Sequence, residues 1–239
     1  MESYKIQKVG NENIRYIKKG LGEPLLFLHG FGLDVEKYEN IIEKLSNKFE
    51  VIAPDMYAIN YLKKQPTSIR EYAELTHDFC KSLKLGKYKI VGHSMGGAVA
   101  FTVGNNSSEV KKLVGIDPIL PTNYGFLGFV RKTKGILSKN KSLKKGFYIN
   151  LLKNVKVLEK IVSDVSNFNY EHLNVKQPSL ILYGEDDEYF RLDDKIEEHI
   201  NKSFRNLTIK RFPKKEHLWL IHEPSIADKE TIDFLIKNE

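Results

Sequence analysis

Gly92-His93-Ser94-Met95-Gly96-Gly97 lies between Lys87-Tyr88-Lys89-Ile90-Val91, a short β-rich stretch, and Ala98-Val99-Ala100-Phe101-Thr102-Val103, a small-residue and apolar run suited to a buried helix. Strand, then G-x-S-x-G, then helix is the context in which a serine is held on a sharp turn for use as a nucleophile. Side chains flanking so tight a turn would clash, and glycine at 92 and 96 relieves that crowding. The turn is predicted to lift the Ser94 hydroxyl clear of the sheet and to set backbone N–H groups of the next helix beside it. The pentapeptide alone is moderately specific. Its weight comes from the rest of the chain.

Outward from this turn, strand and helix patterns alternate. Tyr4–Val9 and Asn13–Lys18 alternate polar and apolar residues around Gly10-Asn11-Glu12 and predict an opening hairpin. Pro24–Leu28 is continuously apolar, as expected of a strand buried on both faces. Val35–Leu45 has helical spacing, Phe49–Ala53 reads as a strand, and Ser68–Leu83 reads as an amphipathic helix capped by Ser68. A strand at Val110–Ile116 follows the helix after the serine turn. Later come strands at Pro178–Tyr183 and Asn206–Phe212, a helix near Leu192–Ile200 and a C-terminal helix to Ile236. This order predicts an α/β fold: a mostly parallel central sheet with helices on both faces and antiparallel strands at the start. The alternation breaks after Asp117-Pro118, and residues 121–174 form a Lys-rich, helical insertion. A single domain over 1–239 is expected, with its core in 1–120 and 175–239.

Of the formal charge of +7, all is carried between Pro121 and His172, where ten Lys/Arg face three acids. Basicity therefore belongs to the insertion and not to the whole surface. No motif or stacking pattern of a nucleic-acid reader accompanies it, so nucleic acid is not an expected partner. One cysteine, Cys80, excludes an internal disulfide framework and is expected as a small buried group on the 68–83 helix. No apolar leader region or bilayer-length stretch is visible, and the expectation is a reduced, cytoplasmic protein. The seven histidines show no paired metal-ligand spacing, so neither metal nor organic cofactor is expected.

Three further stretches fall where a serine turn of this kind needs them. His29-Gly30-Phe31-Gly32 follows the buried strand, Gly184-Glu185-Asp186-Asp187 follows the late strand, and His217 stands seven residues before Pro224. On these motifs, spanning about residues 24–236, the chain resembles an α/β-hydrolase of the capped, single-domain kind. The resemblance implies Ser94 as nucleophile, His217 as its base and Asp187 as the acid that orients the base, in the family's chain order. It also implies the backbone N–H groups of Phe31 and Met95 as the oxyanion hole, and makes residues 121–174 a helical cap that sets specificity. Alternatives stand beside these assignments. Asp186 or Asp117 competes for the acid, with Asp117 otherwise a turn residue before Pro118. His222 competes for the base, and His29 and His93 read as loop-orienting hydrogen-bond groups. Two departures are visible: Glu216 replaces a common glycine, and Pro54–Asn60 lacks the usual glycine-rich stretch, leaving Tyr57 and Tyr61 as candidates to line or cover the pocket.

The expected reaction is hydrolysis of a carboxylic ester with an apolar acyl part, a small-molecule substrate, through a Ser94 acyl-enzyme. Thioester, lactone, amide and carbon–carbon bond hydrolysis and acyl transfer use the same three residues. A serine at the turn argues against relatives whose nucleophile is a carboxylate, the dehalogenases and epoxide hydrolases. A ligand-sensing, non-enzymatic protein is the alternative from a different class. In the cap, apolar Tyr124–Val130 precedes Arg131, Lys132 and Lys134. That pairing is read as a peripheral contact with anionic lipid, as a screen for a substrate anion, or as a solvated face over packed aromatics. Oligomeric state is not written in the sequence.

Overall fold

The computed structural model describes residues 4–56, 62–121, 125–139 and 155–237. Lys5–Val9 (β1) and Glu12–Lys19 (β2) form the expected hairpin, turning at Gly10 with φ of +56°. Pro24–Leu28 (β3), Glu50–Pro54 (β4), Tyr88–His93 (β5), Val110–Ile116 (β6), Ser179–Gly184 (β7) and Leu207–Phe212 (β8) complete one sheet. Among the described residues it has eight strands in the order β1-β2-β4-β3-β5-β6-β7-β8. Strand β2 is antiparallel to β1 and β4, and the pairs from β4 through β3 to β8 are parallel. This is the predicted α/β architecture.

The apolar run of β3 is explained by what covers each face. Leu26 and Leu28 pack with Tyr72 and Phe79 of Ile69–Ser82 (α2) and with Ala98 and Phe101 of Met95–Asn106 (α3). Leu25 and Phe27 point the other way, onto Ile41 and Leu45 of Glu39–Ser46 (α1) and Leu235 of the C-terminal helix. A strand covered on both sides has no solvent face to mark with polar residues. Each such fully buried side chain contributes about 1.5–3 kcal/mol relative to exposure.

Helix α2 starts as its sequence predicts. Ser68 Oγ accepts from Glu71 N–H at 3.1 Å, and the Glu71 carboxylate accepts from Thr67 N–H at 2.6 Å. A cap of this kind is worth about 1 kcal/mol. Cys80 is buried on this helix as expected, and burial pushes its thiol up to about 12. The helix expected over Val35–Leu45 is two pieces, a 3-10 turn at Val35–Tyr38 followed by α1.

Within the insertion, Phe126–Lys139 (α4) and Val155–Asn167 (α5) are helical. Asp164 of α5 accepts from Ile69 N–H at 2.8 Å and so satisfies an orphan donor in the first turn of α2. The Tyr124 end of the apolar stretch and the lysines from Lys141 to Lys153 lie outside the described residues. After β7, Asp194–Asn201 (α6) begins two residues later than expected, where Asp193 accepts from Ile196 N–H at 3.0 Å. Trp219–His222 (α7) and Pro224–Ile236 (α8) close the chain's described part, with Pro224 opening α8. Among the described residues no helix is long and apolar enough to cross a membrane.

Candidate active site

Ser94 joins β5 to α3 with φ of +53° and ψ of −119°. Few L-residues occupy that region, and such a conformation persists only where its surroundings dictate it. They do so here. Ser94 N–H donates to the Ile116 carbonyl at 3.0 Å, and the Ser94 carbonyl accepts from Gly97, Ala98 and Ile119 N–H at 3.0, 3.3 and 3.2 Å. A Cβ on Gly92 would lie 2.2 Å from the Gly96 carbonyl oxygen, and one on Gly96 would lie 2.2 Å from that of Leu28. Backbone occupies the space on both sides of the serine, so only glycine fits there.

His217 arrives on the loop between β8 and α7. Its Nε2 is 2.9 Å from Ser94 Oγ, and its Nδ1 is 2.7 Å from Asp187 Oδ2. A carboxylate only accepts, so Nδ1 carries the proton and Nε2 faces the serine hydroxyl as an acceptor. The other oxygen, Asp187 Oδ1, accepts from Tyr189 and Phe190 N–H at 2.7 and 2.9 Å. Both carboxylate oxygens are thus engaged, and the Asp187 side chain is wholly buried. Glu188 adds a second brace by accepting from His217 N–H at 3.1 Å.

The competing residues sit elsewhere. Asp186 is exposed, and its N–H donates to the Lys215 carbonyl. His222 is exposed at the end of α7, and Glu216 is also exposed. Asp117 does hold a turn, at φ of +40°, but its side chain does more than the sequence suggests. It is fully buried, accepts from Gly184 N–H at 2.6 Å, and accepts from the Trp219 indole N–H. It ties the end of β7 to α7, two residues beyond His217. Tyr57 and Tyr61 lie outside the described residues.

These environments shift the titration of the groups. Burial works against the His217 cation, yet the charge and hydrogen bond of Asp187, aided by Asp117 and Glu188, outweigh it and raise its pKa. Burial, followed by the nearby Asp187 charge, pushes Asp117 well above the usual carboxylate range. His93, at the end of β5, is buried and lies beside His217, which brings its pKa down to about 3.

A cavity of about 60 Å³ opens beside Ser94 and His217. Phe31 and Met95 border it at the sheet, while Phe129 and Thr133 of α4 and Ile161 and Val162 of α5 wall it from the insertion. Met95 is the first residue of α3, so its N–H has no partner within the helix. The lining is mainly apolar. Tyr189 stacks on Phe129 with ring centroids 5.6 Å apart, and its hydroxyl donates to Thr133 Oγ1 at 2.7 Å. The loop holding Asp187 is therefore fastened to α4. Among the described residues, no group of three or more His, Cys, Asp or Glu is arranged to hold a metal ion.

The eight-stranded, mostly parallel sheet agrees with what the comparisons with known proteins show. The chain belongs to the α/β-hydrolase fold family, whose model matches residues 23–154, more than half of its length. It is 36% identical over 108 residues to 2-hydroxy-6-oxo-6-(2'-aminophenyl)hexa-2,4-dienoic acid hydrolase of Metapseudomonas resinovorans, a match covering 42% of this chain and 37% of that protein. It is 31% identical over 114 residues to a soluble epoxide hydrolase of Corynebacterium sp. strain C12, covering 46% of this chain and 40% of that one. The matched stretches thus span well under half of those relatives. Among solved structures, a serine hydrolase involved in carbazole degradation superposes with a TM-score of 0.79 at 21% identity over 98% of both chains. An esterase from a marine microorganism superposes with a TM-score of 0.74 at 26% identity, covering 92% of this chain and 98% of that one.

Proposed function

We propose that the chain is a serine hydrolase that cleaves a carboxylic ester with an apolar acyl part. The observation that carries this reading is the continuous chain Ser94–His217–Asp187 opening into an apolar cavity. His217 Nε2 takes the proton of Ser94 Oγ as that oxygen attacks the ester carbonyl. The imidazolium so formed is held by Asp187, whose hydrogen bond keeps the ring in the tautomer that can accept at Nε2. The carbonyl oxygen becomes an oxyanion facing the N–H groups of Met95 and Phe31. Collapse breaks the bond to the alkoxy oxygen, which leaves as an alcohol with the proton from His217. Water, deprotonated by the same His217, then attacks the Ser94 ester; the bond to Ser94 Oγ breaks, that oxygen takes the proton back from His217, and the acid is released.

Ser94, in place of a carboxylate, argues against an epoxide-opening reaction of the kind named for one relative. The apolar lining favours an acyl group without charge, because a buried ion with no partner is costly. A series of p-nitrophenyl esters from acetate to decanoate tests the reading. Turnover well above that of Ser94→Ala is expected for at least one chain length; rates equal to that variant on every ester would refute it.

A peripheral contact with anionic lipid belongs to the same proposal. Leu127, Arg131 and Lys134 are exposed on α4, the helix that walls the cavity. An apolar residue beside cations is the combination that favours an anionic interface.

A further inference from the structure

We propose that Tyr38 and His93 are positioning residues that lock the oxyanion loop, the serine turn and the base loop in one register, through hydrogen bonds whose protons all point the same way. Three loops, after β3, β5 and β8, must meet to assemble the site. They are far apart in sequence, by 55 residues between Tyr38 and His93 and 124 between His93 and His217. Four groups connect them. Gly30 N–H is 3.0 Å from Tyr38 Oη, Tyr38 Oη is 2.8 Å from His93 Nδ1, and His93 Nε2 is 3.0 Å from the His217 carbonyl oxygen.

The direction follows from which atoms can donate. A backbone carbonyl only accepts, so His93 Nε2 carries the hydrogen. The ring is wholly buried and neutral at ordinary pH, which leaves Nδ1 with a lone pair. Tyr38 O–H must therefore donate to Nδ1, and the Tyr38 oxygen accepts from Gly30 N–H. Every polar atom of the two side chains is satisfied in this arrangement, as deep burial requires.

Each end of the chain lies next to a reacting group. Gly30 precedes Phe31, His93 precedes Ser94, and the terminal acceptor is the carbonyl of His217 itself. Gly30 shows how closely the loops approach, since a Cβ there would lie 3.0 Å from both His93 Nδ1 and Tyr38 Oη. Tyr38 is further held by Phe27 of β3, with ring centroids 5.3 Å apart. The His93 ring packs beside the His217 imidazole, with ring centroids 5.2 Å apart, while its two nitrogens are taken by Tyr38 and the His217 carbonyl. Both side chains act by setting the distances among the residues that react.

The inference rests on the serine-hydrolase reading, and its test separates the two. Ester hydrolysis is measured for the wild type, Ser94→Ala, Tyr38→Phe, His93→Gln and His93→Leu, alongside thermal melts and ¹⁵N NMR of histidine-labelled protein. In folded Tyr38→Phe, kcat is expected to fall by about 10–100-fold, with KM within about twofold. His93→Gln keeps an amide donor for the His217 carbonyl and should recover part of the activity lost in His93→Leu. The NMR spectrum should show His93 protonated on Nε2 and not on Nδ1. A proton on Nδ1, wild-type kcat in Tyr38→Phe, or equal losses in the two His93 variants would each overturn the proposal. Should Tyr38→Phe fail to fold, the His93 pair and the wild-type tautomer still decide it. Absence of wild-type turnover above Ser94→Ala would overturn the hydrolase reading and the catalytic role given to this chain, while the tautomer would still report whether the hydrogen bonds exist.

Discussion

In the proposed hydrolase, Asp187 Oδ2 facing His217 Nδ1 sets the working pH. The imidazole must be neutral to take a proton, and its raised pKa means that it stays protonated to a higher pH than a free histidine. The acid limb of kcat/KM should therefore have its midpoint above about 6.5, the value of an unperturbed histidine. Asp187→Asn should move that midpoint down and reduce kcat by on the order of 10⁴-fold, as read from pH–rate profiles of the two proteins. Stability has the opposite sense. A histidine with a raised folded-state pKa adds stability that is complete below its unfolded pKa and lost as pH rises through the folded one. At this scale the sequence was legible where chemistry is local. Ser94 and His217 sit in short patterns that the structure brings within hydrogen-bonding distance of each other. The choice between Asp186 and Asp187 turned on family spacing, because the residues themselves are adjacent and identical. What separates them is the burial of one carboxylate and the exposure of the other. Tyr38 left no mark at all, since its partners lie eight and 55 residues away and no motif spans the gap.

The helix after Ser94 approaches β3 so closely that side-chain volume is excluded. In Gly96→Ala the added methyl would lie 2.2 Å from the Leu28 carbonyl oxygen and 2.7 Å from that of His29. These atoms are backbone, with no rotamer to yield, so α3 must shift against the sheet. A loss of about 1–3 kcal/mol or more is expected from such overpacking, measured by urea unfolding. Gly125→Ala is the control: among the described residues nothing lies within 4 Å of an added Cβ there, and the change should stay within about 0.5 kcal/mol. Strands and long helices were legible because their apolar spacing records which faces are covered. In the sequence, Val35–Leu45 looks like one helix because a 3-10 turn and an α-helix share nearly the same apolar spacing over a few residues. Their difference lies in hydrogen bonding, which composition does not carry.

Across the molecule, the proposed catalytic residues and much of the pocket wall come from different parts of the chain. The sheet and its loops supply Ser94, Asp187 and His217, whereas α4 and α5 supply much of the cavity wall. The positive charge belongs to the same insertion as that wall. Co-sedimentation with vesicles containing phosphatidylserine should exceed that with neutral vesicles, fall as salt is raised, and weaken in Leu127→Ser. Equal recovery with both vesicle types would exclude the lipid contact. The fold class was legible on this scale because alternating strand and helix patterns imply a mostly parallel sheet covered on both faces. The exchange of β3 and β4 in the strand order was not, since it depends on where each crossover places the next strand. What the cavity accepts was not, since its shape is set by side chains drawn from distant segments. The Asp117–Trp219 bond has a practical consequence. Trp219 is the only tryptophan of the chain, and its indole is anchored two residues from His217. Its intrinsic fluorescence is thus a label already installed beside the base loop. Emission recorded while a fluorophosphonate reacts with Ser94 would follow that loop in real time, without any dye.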